Sequence, residues 1–163
     1  MAKRAKRKAT PPPAPKPKAR RPKRAVVATR APLARREEIR VPGLAPAISH
    51  YTDAVKFGNI MFVSGVIAVD KDLNLVGGDD VVAQTRCIFE QMKQILEAAG
   101  ASFADVLKVT VFLLDVNDRA KINPVRQEYF GAARPASTLI GVRELALPGV
   151  KIEIEAVVGL RKS

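Results

Sequence analysis

One carboxylate, Glu153, lies in the stretch of sequence best suited to chemistry. Apolar and charged residues alternate from Val150 to Ala156, which is the pattern of a strand with one buried face. Glu153 shares the polar face of that strand with Lys151 and Glu155. A carboxylate there is either a catalytic group or an ordinary solvent-facing side chain. The alternation alone leaves both interpretations open.

Other residue types that often carry catalysis are scarce. The chain has one histidine, His50, and one cysteine, Cys87. Cys87 lies beside the apolar stripe of a predicted helix, so we interpret it as a small buried hydrophobic residue and not as a nucleophile. We interpret His50 as a surface residue. No metal-ligand spacing and no phosphate-binding glycine loop is present, so the sequence predicts neither a metal nor a cofactor.

Five strands and two helices are predicted to position these side chains. A Gly-Asn turn joins the first two strands. Asp79 or Asp80 caps the first helix, and Pro124 suits the first position of the second, which puts Asn123 at or near its cap. The order β-β-α-β-α-β-β lets each helix connect strands that could pair in parallel. The predicted strands are 51–57, 60–69, 105–114, 137–142 and 150–156, and the predicted helices run from about 80 to 99 and from 124 to 130.

The chain combines two segments of different composition. Residues 1–36 hold 14 of the 28 lysines and arginines, seven of the 12 prolines and no acidic residue. The net charge of +12 therefore describes this segment, because residues 37–163 are close to neutral. We expect residues 1–36 to form a disordered basic tail, since they cannot bury enough apolar surface to offset the entropy of ordering. We expect residues 37–163 to form one domain.

Three roles remain open for the basic tail. Residues 3–36 could contact nucleic acid or another polyanion without sequence preference, through neutralisation of phosphates. An Arg- and Ala-rich segment without acids could also be an organelle-targeting peptide, or a solvated tail with no partner. No aromatic residue is interleaved to stack on bases, so the tail is not predicted to read a base sequence.

The compartment is predicted from two features of composition. A single cysteine excludes an internal disulfide and fits a reducing environment. No apolar run approaches the roughly 18 residues of a membrane-spanning helix. We therefore expect a cytoplasmic protein without membrane contact.

Six short motifs between residues 44 and 160 suggest a family. They are H-Y-T-D-A-V-K (50–56), F-V-S-G (62–65), A-A-G-A-S-F-A-D-V-L-K-V-T-V-F-L (98–113), I-N-P-V-R-Q-E-Y-F (122–130), R-P-A-S-T (134–138) and V-K-I-E-I-E-A (150–156). Together they resemble the Rid family of reactive-intermediate imine/enamine deaminases, formerly called the YjgF group. The resemblance implies a chorismate-mutase-like α+β fold, with a mixed sheet and two helices on one face. It also implies a homotrimer whose sheets pack into a barrel, with ligand clefts between subunits.

The same resemblance implies which residues line the cleft. Tyr51, Ser64 and Asn123 fall on substrate-binding positions, and Glu153 falls on the catalytic position. Enzymes of the family hydrolyse 2-imino acids to 2-keto acids and ammonia. An arginine pairs with the substrate carboxylate, while the glutamate and backbone groups position water for attack on the imine carbon.

Two positions depart from the family pattern. Ser137 takes the place of the carboxylate-binding arginine, and Leu139 takes the place of a cysteine two positions later. A bidentate Arg–carboxylate contact contributes roughly 1.5–3 kcal/mol, or about one to two decades in rate. Serine donates a single uncharged hydrogen bond. Arg134, Arg143 or an arginine of a partner subunit are the candidate substitutes.

The sequence therefore predicts a primary and an alternative function. In the first, an intersubunit cleft binds small imine, enamine or carbonyl metabolites and hydrolyses 2-imino acids with reduced or altered activity. In the second, the trimer binds a small ligand without catalysis, and the tail contacts nucleic acid or another polyanion. Residue-level alternatives stay open too: Tyr51 as an edge aromatic, Ser64 as a bulge residue and Asn123 as a helix cap.

Overall fold

The computed structural model describes residues 34–161, which form one mixed sheet with two helices. The strands are β1 (Arg36–Ile39), β2 (Ala54–Phe57), β3 (Ile60–Ile67), β4 (Val106–Leu113), β5 (Ala136–Gly141) and β6 (Ile152–Gly159), and the helices are α1 (Val81–Ala98) and α2 (Arg119–Phe130). Within this part of the chain the strand order is β1-β2-β3-β6-β4-β5. The predicted α+β class is confirmed.

Strand β6 lies inside the sheet because one of its faces is fully apolar. It pairs antiparallel with both β3 and β4, while β4 pairs parallel with β5 through the crossover helix α2. Ile152, Ile154 and Ala156 are buried against the core that the helices cover. Glu153 and Glu155 alternate with them and face the other side of the sheet, as the period of two predicts.

Helix α1 forms as its sequence pattern predicts. The Asp80 carboxylate, and not Asp79, accepts hydrogen bonds from the backbone N–H groups of Val82 and Ala83. These bonds satisfy donors that a helix leaves unpaired at its N-terminus. The helix packs on β3 and β6 through a buried stripe that includes Val81, Thr85, Ile88, Met92 and Ile95.

Helix α2 begins earlier than predicted, and the correction changes the surroundings of Asn123. A 3₁₀ turn, Val116–Asp118, runs directly into the helix, and the Asp115 side chain accepts a hydrogen bond from the Asn117 N–H at its start. The chain is thus already helical before Pro124, which lies inside α2. Asn123 is therefore not the cap, and it lies on the same helix face as the residue three positions later.

Strand β1 was not predicted from the sequence. Arg36–Ile39 pairs antiparallel with β2 at the edge of the sheet, and its sequence, REEI, has a single apolar residue. Charged edge strands give a weak pattern because they bury little surface. The predicted disorder of the basic tail falls outside the described residues for 1–33, whereas Arg36 belongs to β1.

The structure bears on the membrane prediction only through the two helices. Across residues 34–161, neither helix combines the length and the apolar character that a membrane crossing needs.

Candidate functional site

A β-bulge interrupts strand β3 at Ser64 and Gly65. The register between β3 and β6 shifts between Val63 and Val66, so neither residue of the bulge has a paired position on β6. The Ser64 hydroxyl donates a hydrogen bond of 2.6 Å to the Thr52 carbonyl, which holds the bulge to the preceding segment. Bulges of this kind aim side chains and backbone away from the regular ladder.

The Glu153 carboxylate lies directly against Gly65. A Cβ atom built on Gly65 would be 1.8 Å from Glu153 Oε1, far inside van der Waals contact. Only glycine therefore leaves room for this carboxylate at the bulge. Sequence analysis singled out Glu153 and the F-V-S-G motif that ends at Gly65, but their contact depends on the register of two strands about 90 positions apart.

Burial gives the Glu153 carboxyl acid–base properties that differ from those of a solvated glutamate. The side chain is half-buried, which raises its pKa, and the neighbouring Glu155 carboxylate raises it further. Among residues 34–161 no cation or hydrogen-bond donor offsets that effect. A carboxyl whose pKa is raised above its usual range is suited to proton transfer.

Tyr51 and Ser64 line one small depression, which also includes Gln91 and Ile95 of α1 but not Glu153. Its volume is about 50 Å³, and Gly65 forms part of its wall. The Tyr51 hydroxyl accepts a hydrogen bond of 3.4 Å from the Ile48 N–H, and 47% of the residue is exposed. We call Tyr51, Ser64, Gly65 and Glu153 the bulge site.

Behind the bulge site, a buried carboxylate ties the loop after β1 to the sheet. Asp53 accepts hydrogen bonds from the Arg40 guanidinium and from the Val41 N–H, the latter at 2.7 Å. Arg40 and Asp53 also line the depression. Since Asp53 already pairs with Arg40, this carboxylate has a structural partner that Glu153 lacks among the described residues.

The remaining predicted site residues lie elsewhere, on β5 and beside a groove that α2 forms with residues 131–135, the segment leading to β5. Asn123 lines this groove, whose volume is about 470 Å³. Ser137, on β5, accepts a hydrogen bond of 2.9 Å from Arg126 Nη2. Leu139 is partly buried and packs against the core. We call this region the α2–β5 groove; it is lined by Asn123, Arg126, Gln127, Phe130, Gly131, Ala133, Arg134 and Pro135.

Arg126 is the cation beside Ser137, and sequence analysis missed it. Arg134 lines the groove but is exposed, and Arg143 is also exposed. The available signal was helical spacing, because Arg126 follows Asn123 by three positions and shares its face. Starting the helix at Pro124 concealed that relation.

Glu153 and Ser137 lie on opposite faces of the sheet. Glu153 pairs with Phe112, whereas Ser137 pairs with Val109, which is buried in the core. Partners in a cross-strand pair share a face, and successive residues alternate. Three residue steps of about 3.3 Å and two strand spacings of about 4.8 Å also separate Glu153 from Ser137. One copy of the chain does not bring both against the same small molecule.

The other singled-out residues have ordinary environments. Cys87 is partly buried beside the core, and burial raises the pKa of its thiol. Gln91 donates a hydrogen bond of 3.3 Å to its Sγ. His50 is exposed. Within the described part of the chain, no group of three or more His, Cys, Asp or Glu side chains could hold a metal ion.

Comparison with known proteins identifies the family. A sequence model described as Endoribonuclease L-PSP matches residues 43–159, which is most of the chain. The chain belongs to this family, the Rid proteins. Its relatives include the 3-aminoacrylate deaminase RutC of Acinetobacter baylyi, 40% identical over 122 residues that cover 74% of this chain and 96% of the relative. The 2-iminobutanoate/2-iminopropanoate deaminase of Salmonella typhimurium is 40% identical over 114 residues, which cover 68% of this chain and 88% of the relative.

A solved structure similar to this chain has the same fold. The crystal structure of Escherichia coli TdcF with bound serine superposes with a TM-score of 0.70 at 34% identity, covering 77% of this chain and 99% of TdcF. The matched region includes both the bulge site and the α2–β5 groove, since the family model spans residues 43–159.

Proposed function

We propose that this protein is an imine/enamine deaminase that hydrolyses small 2-imino acids to 2-keto acids and ammonia. The observation that carries the proposal is the Glu153 carboxyl, half-buried against the Ser64–Gly65 bulge without a partner among residues 34–161. Two relatives named as deaminases of an enamine acid and of 2-imino acids support the same reaction class. A relative solved with bound serine supports an amino-acid-sized ligand.

The reaction needs one proton-transfer group and one water molecule. In the proposed mechanism Glu153 takes a proton from water as the water oxygen bonds to the carbon of the protonated imine, which leaves a neutral carbinolamine. Glu153 then gives that proton to the amine nitrogen, the C–N bond breaks and ammonia leaves. The hydroxyl proton returns to Glu153 as the C=O bond of the keto acid forms. No metal or redox partner is required, and a carboxyl with a raised pKa can give as well as accept the proton.

We propose further that the complete cleft is formed between copies of the chain in a homotrimer. Glu153 and Ser137 lie on opposite faces of one sheet, so a single copy presents only half of the implied site. The sheet face opposite the helices leaves Phe62 54% exposed and forms a groove with Lys108, Thr110 and Glu155. That face is suited to packing three sheets together.

The direct test measures keto-acid release by the purified full-length chain. Freshly generated 2-iminobutanoate should yield 2-ketobutanoate faster with the protein than in buffer, in proportion to protein concentration. Light scattering on the same sample should give the mass of three chains. A rate equal to that of buffer at high protein concentration would remove the enzyme proposal, and an active monomer would remove the intersubunit cleft.

Ser137 makes altered activity part of the proposal. At the place where the family resemblance implies an arginine, this chain presents a neutral hydroxyl from β5. Substrate preference should then depend on which other cation reaches the carboxylate. If turnover is absent but small keto acids still bind, the non-catalytic ligand-binding trimer is the better description.

A second role is proposed for the basic tail in a cytoplasmic protein, namely sequence-independent contact with nucleic acid. Its support is compositional: residues 1–33 contain 12 basic residues and no acidic residue. Because β1 begins at Arg36, the truncation that tests this role should end at residue 33.

Removing residues 1–33 should abolish a DNA mobility shift that weakens steeply with salt, while imine hydrolysis stays unchanged. For a tail that contacts six to ten phosphates, affinity should fall about 10³- to 10⁵-fold between 50 and 200 mM salt. A shift that survives truncation would place nucleic-acid binding on the folded domain.

A further inference from the structure

Arg126 is a half-buried cation whose position is set by Ser137. Its Nη2 donates to Ser137 Oγ at 2.9 Å, and no carboxylate pairs with it among residues 34–161. Burial lowers the pKa of the guanidinium, and no neighbouring charge contributes to that shift. Buried guanidinium groups normally have an anionic partner. Among the described residues, no acidic group occupies the position beside the Arg126 guanidinium where an anion could bind.

The groove around Arg126 has the composition of an anion site. Asn123, Gln127 and Arg134 line it with Arg126, and no acidic side chain is part of its wall. Its volume of about 470 Å³ exceeds that of a small keto acid. Asn123 lies three residues before Arg126 on α2, so its amide and the guanidinium project from the same helix face.

We infer that Arg126 is the carboxylate-binding residue of this protein and that Ser137 is its positioning residue. The inference rests on the proposed deaminase function and names the group that recognises the acid. In this chain the cation comes from helix α2, and the position on β5 that the family resemblance assigns to arginine holds its acceptor instead. The substrate class is accordingly a small α-keto or α-imino acid with a free carboxylate.

The hydrogen-bonding capacity of arginine allows both contacts at once. A guanidinium has five N–H donors in one plane, and Ser137 accepts from one nitrogen. The other donors remain for a carboxylate, which guanidinium binds with two parallel hydrogen bonds. Since Ser137 fixes the plane of the group before ligand arrives, less side-chain entropy is lost on binding.

The test compares Arg126→Gln with Arg119→Gln in the full-length protein. Arg119 lies on the same helix and carries the same charge, but it is exposed and does not line the groove, which makes it a matched control. Arg126→Gln should weaken binding of 2-ketobutanoate about 10- to 100-fold and raise the KM for 2-iminobutanoate similarly. Arg119→Gln should change either quantity less than threefold, and Arg126→Lys should lie between.

An uncharged ligand separates recognition of the carboxylate from general disruption. Binding of 2-oxobutanamide, which lacks the negative charge, should be equal in the wild-type protein and in Arg126→Gln. An equal loss for the acid and the amide, or no loss for the acid, would overturn the inference. If wild-type protein hydrolyses the imine and Arg126→Gln does so equally well, only this inference fails. If wild-type protein is inactive but binds the keto acid through Arg126, only the proposed reaction fails.

The positioning role of Ser137 is tested separately, through its effect on KM. Ser137→Ala removes the acceptor and should raise the KM about three- to tenfold with kcat unchanged, whereas Ser137→Thr keeps a hydroxyl and should restore the wild-type KM. Both residues are compatible with an exposed position on a strand. Equal KM values for the alanine and threonine variants would show that the hydrogen bond does not position Arg126.

Discussion

Replacing Glu153 with glutamine should lower kcat for 2-iminobutanoate by about 10²- to 10⁴-fold, the usual contribution of a general acid–base group. Glutamine keeps the size and hydrogen-bonding capacity of the side chain but cannot exchange a proton. Glu97→Gln is the matched control, because Glu97 is an exposed glutamate on helix α1, away from the sheet face that carries Glu153. A loss that is equal in the two variants would assign the effect to surface charge and not to catalysis.

The pH dependence follows from the same carboxyl. Its pKa is raised by burial and by Glu155, so the base form should appear, and kcat should rise, at a higher pH than for a solvated glutamate. The folded state holds this proton more tightly than the unfolded chain does. The free energy of unfolding therefore falls as pH rises through the raised pKa.

Glu153→Gln should remove this loss of unfolding free energy at high pH without destabilising the fold. Above the raised pKa, the variant should unfold at the same temperature as the wild-type protein or at a higher one, measured by thermal denaturation across pH. Below pH 4 the difference should vanish, because the carboxyl is then protonated in both the folded and unfolded states. A variant that unfolds well below the wild type at neutral pH would assign Glu153 a structural role.

Gly65→Ala should lower kcat about 100-fold although it adds only one methyl group. The new Cβ would lie 1.8 Å from the present position of Glu153 Oε1, so the carboxylate must move away from the bulge. Displacing a catalytic group by about 1 Å is enough for a loss of this size. The obstructing atoms belong to the end of a flexible side chain, and Gly65 does not have a positive φ, so the fold should persist.

Gly159→Ala supplies the control for that substitution. Gly159 lies on β6 like Glu153, but its added Cβ would make ordinary contacts of 3.4 Å with Leu107. Activity and unfolding temperature should both remain close to wild type. If Gly65→Ala retained full activity with its fold intact, the position of the Glu153 carboxylate against the bulge would be irrelevant to turnover.

Local pattern was sufficient for much of the fold. Helix α1 was predicted from its apolar spacing and its acidic cap, and strand β6 from its alternation, because both signals lie within a few consecutive residues. The Gly58–Asn59 turn between β2 and β3 was confirmed, with Gly58 at a φ of +63°. Strand β1 and the first turn of α2 were missed, because one is a charged edge strand and the other grows from a preceding 3₁₀ turn.

The site residues Tyr51, Ser64, Asn123, Ser137, Leu139 and Glu153 stay predictions in their functional roles, although their positions are now defined. Resemblance to the family located them along the chain, but it did not indicate which of them meet. Tyr51 and Ser64 line one depression, whereas Ser137 accepts a hydrogen bond from Arg126 and lies on the sheet face opposite to Glu153.

The amino-acid sequence by itself determined both helices apart from the first turn of α2, every described strand but β1, the family, and the identity of a carboxylate on the polar face of β6. The tertiary structure decided that the Glu153 carboxylate lies against Gly65. It also decided that Ser137, at the position where the family resemblance implies an arginine, accepts a hydrogen bond from Arg126. The physical reason is that periodicity depends on neighbours in the chain, while strand register and helix docking depend on residues far apart. Glu153 and Gly65 come together only when β3 pairs with β6, and Arg126 and Ser137 only when α2 packs beside β5.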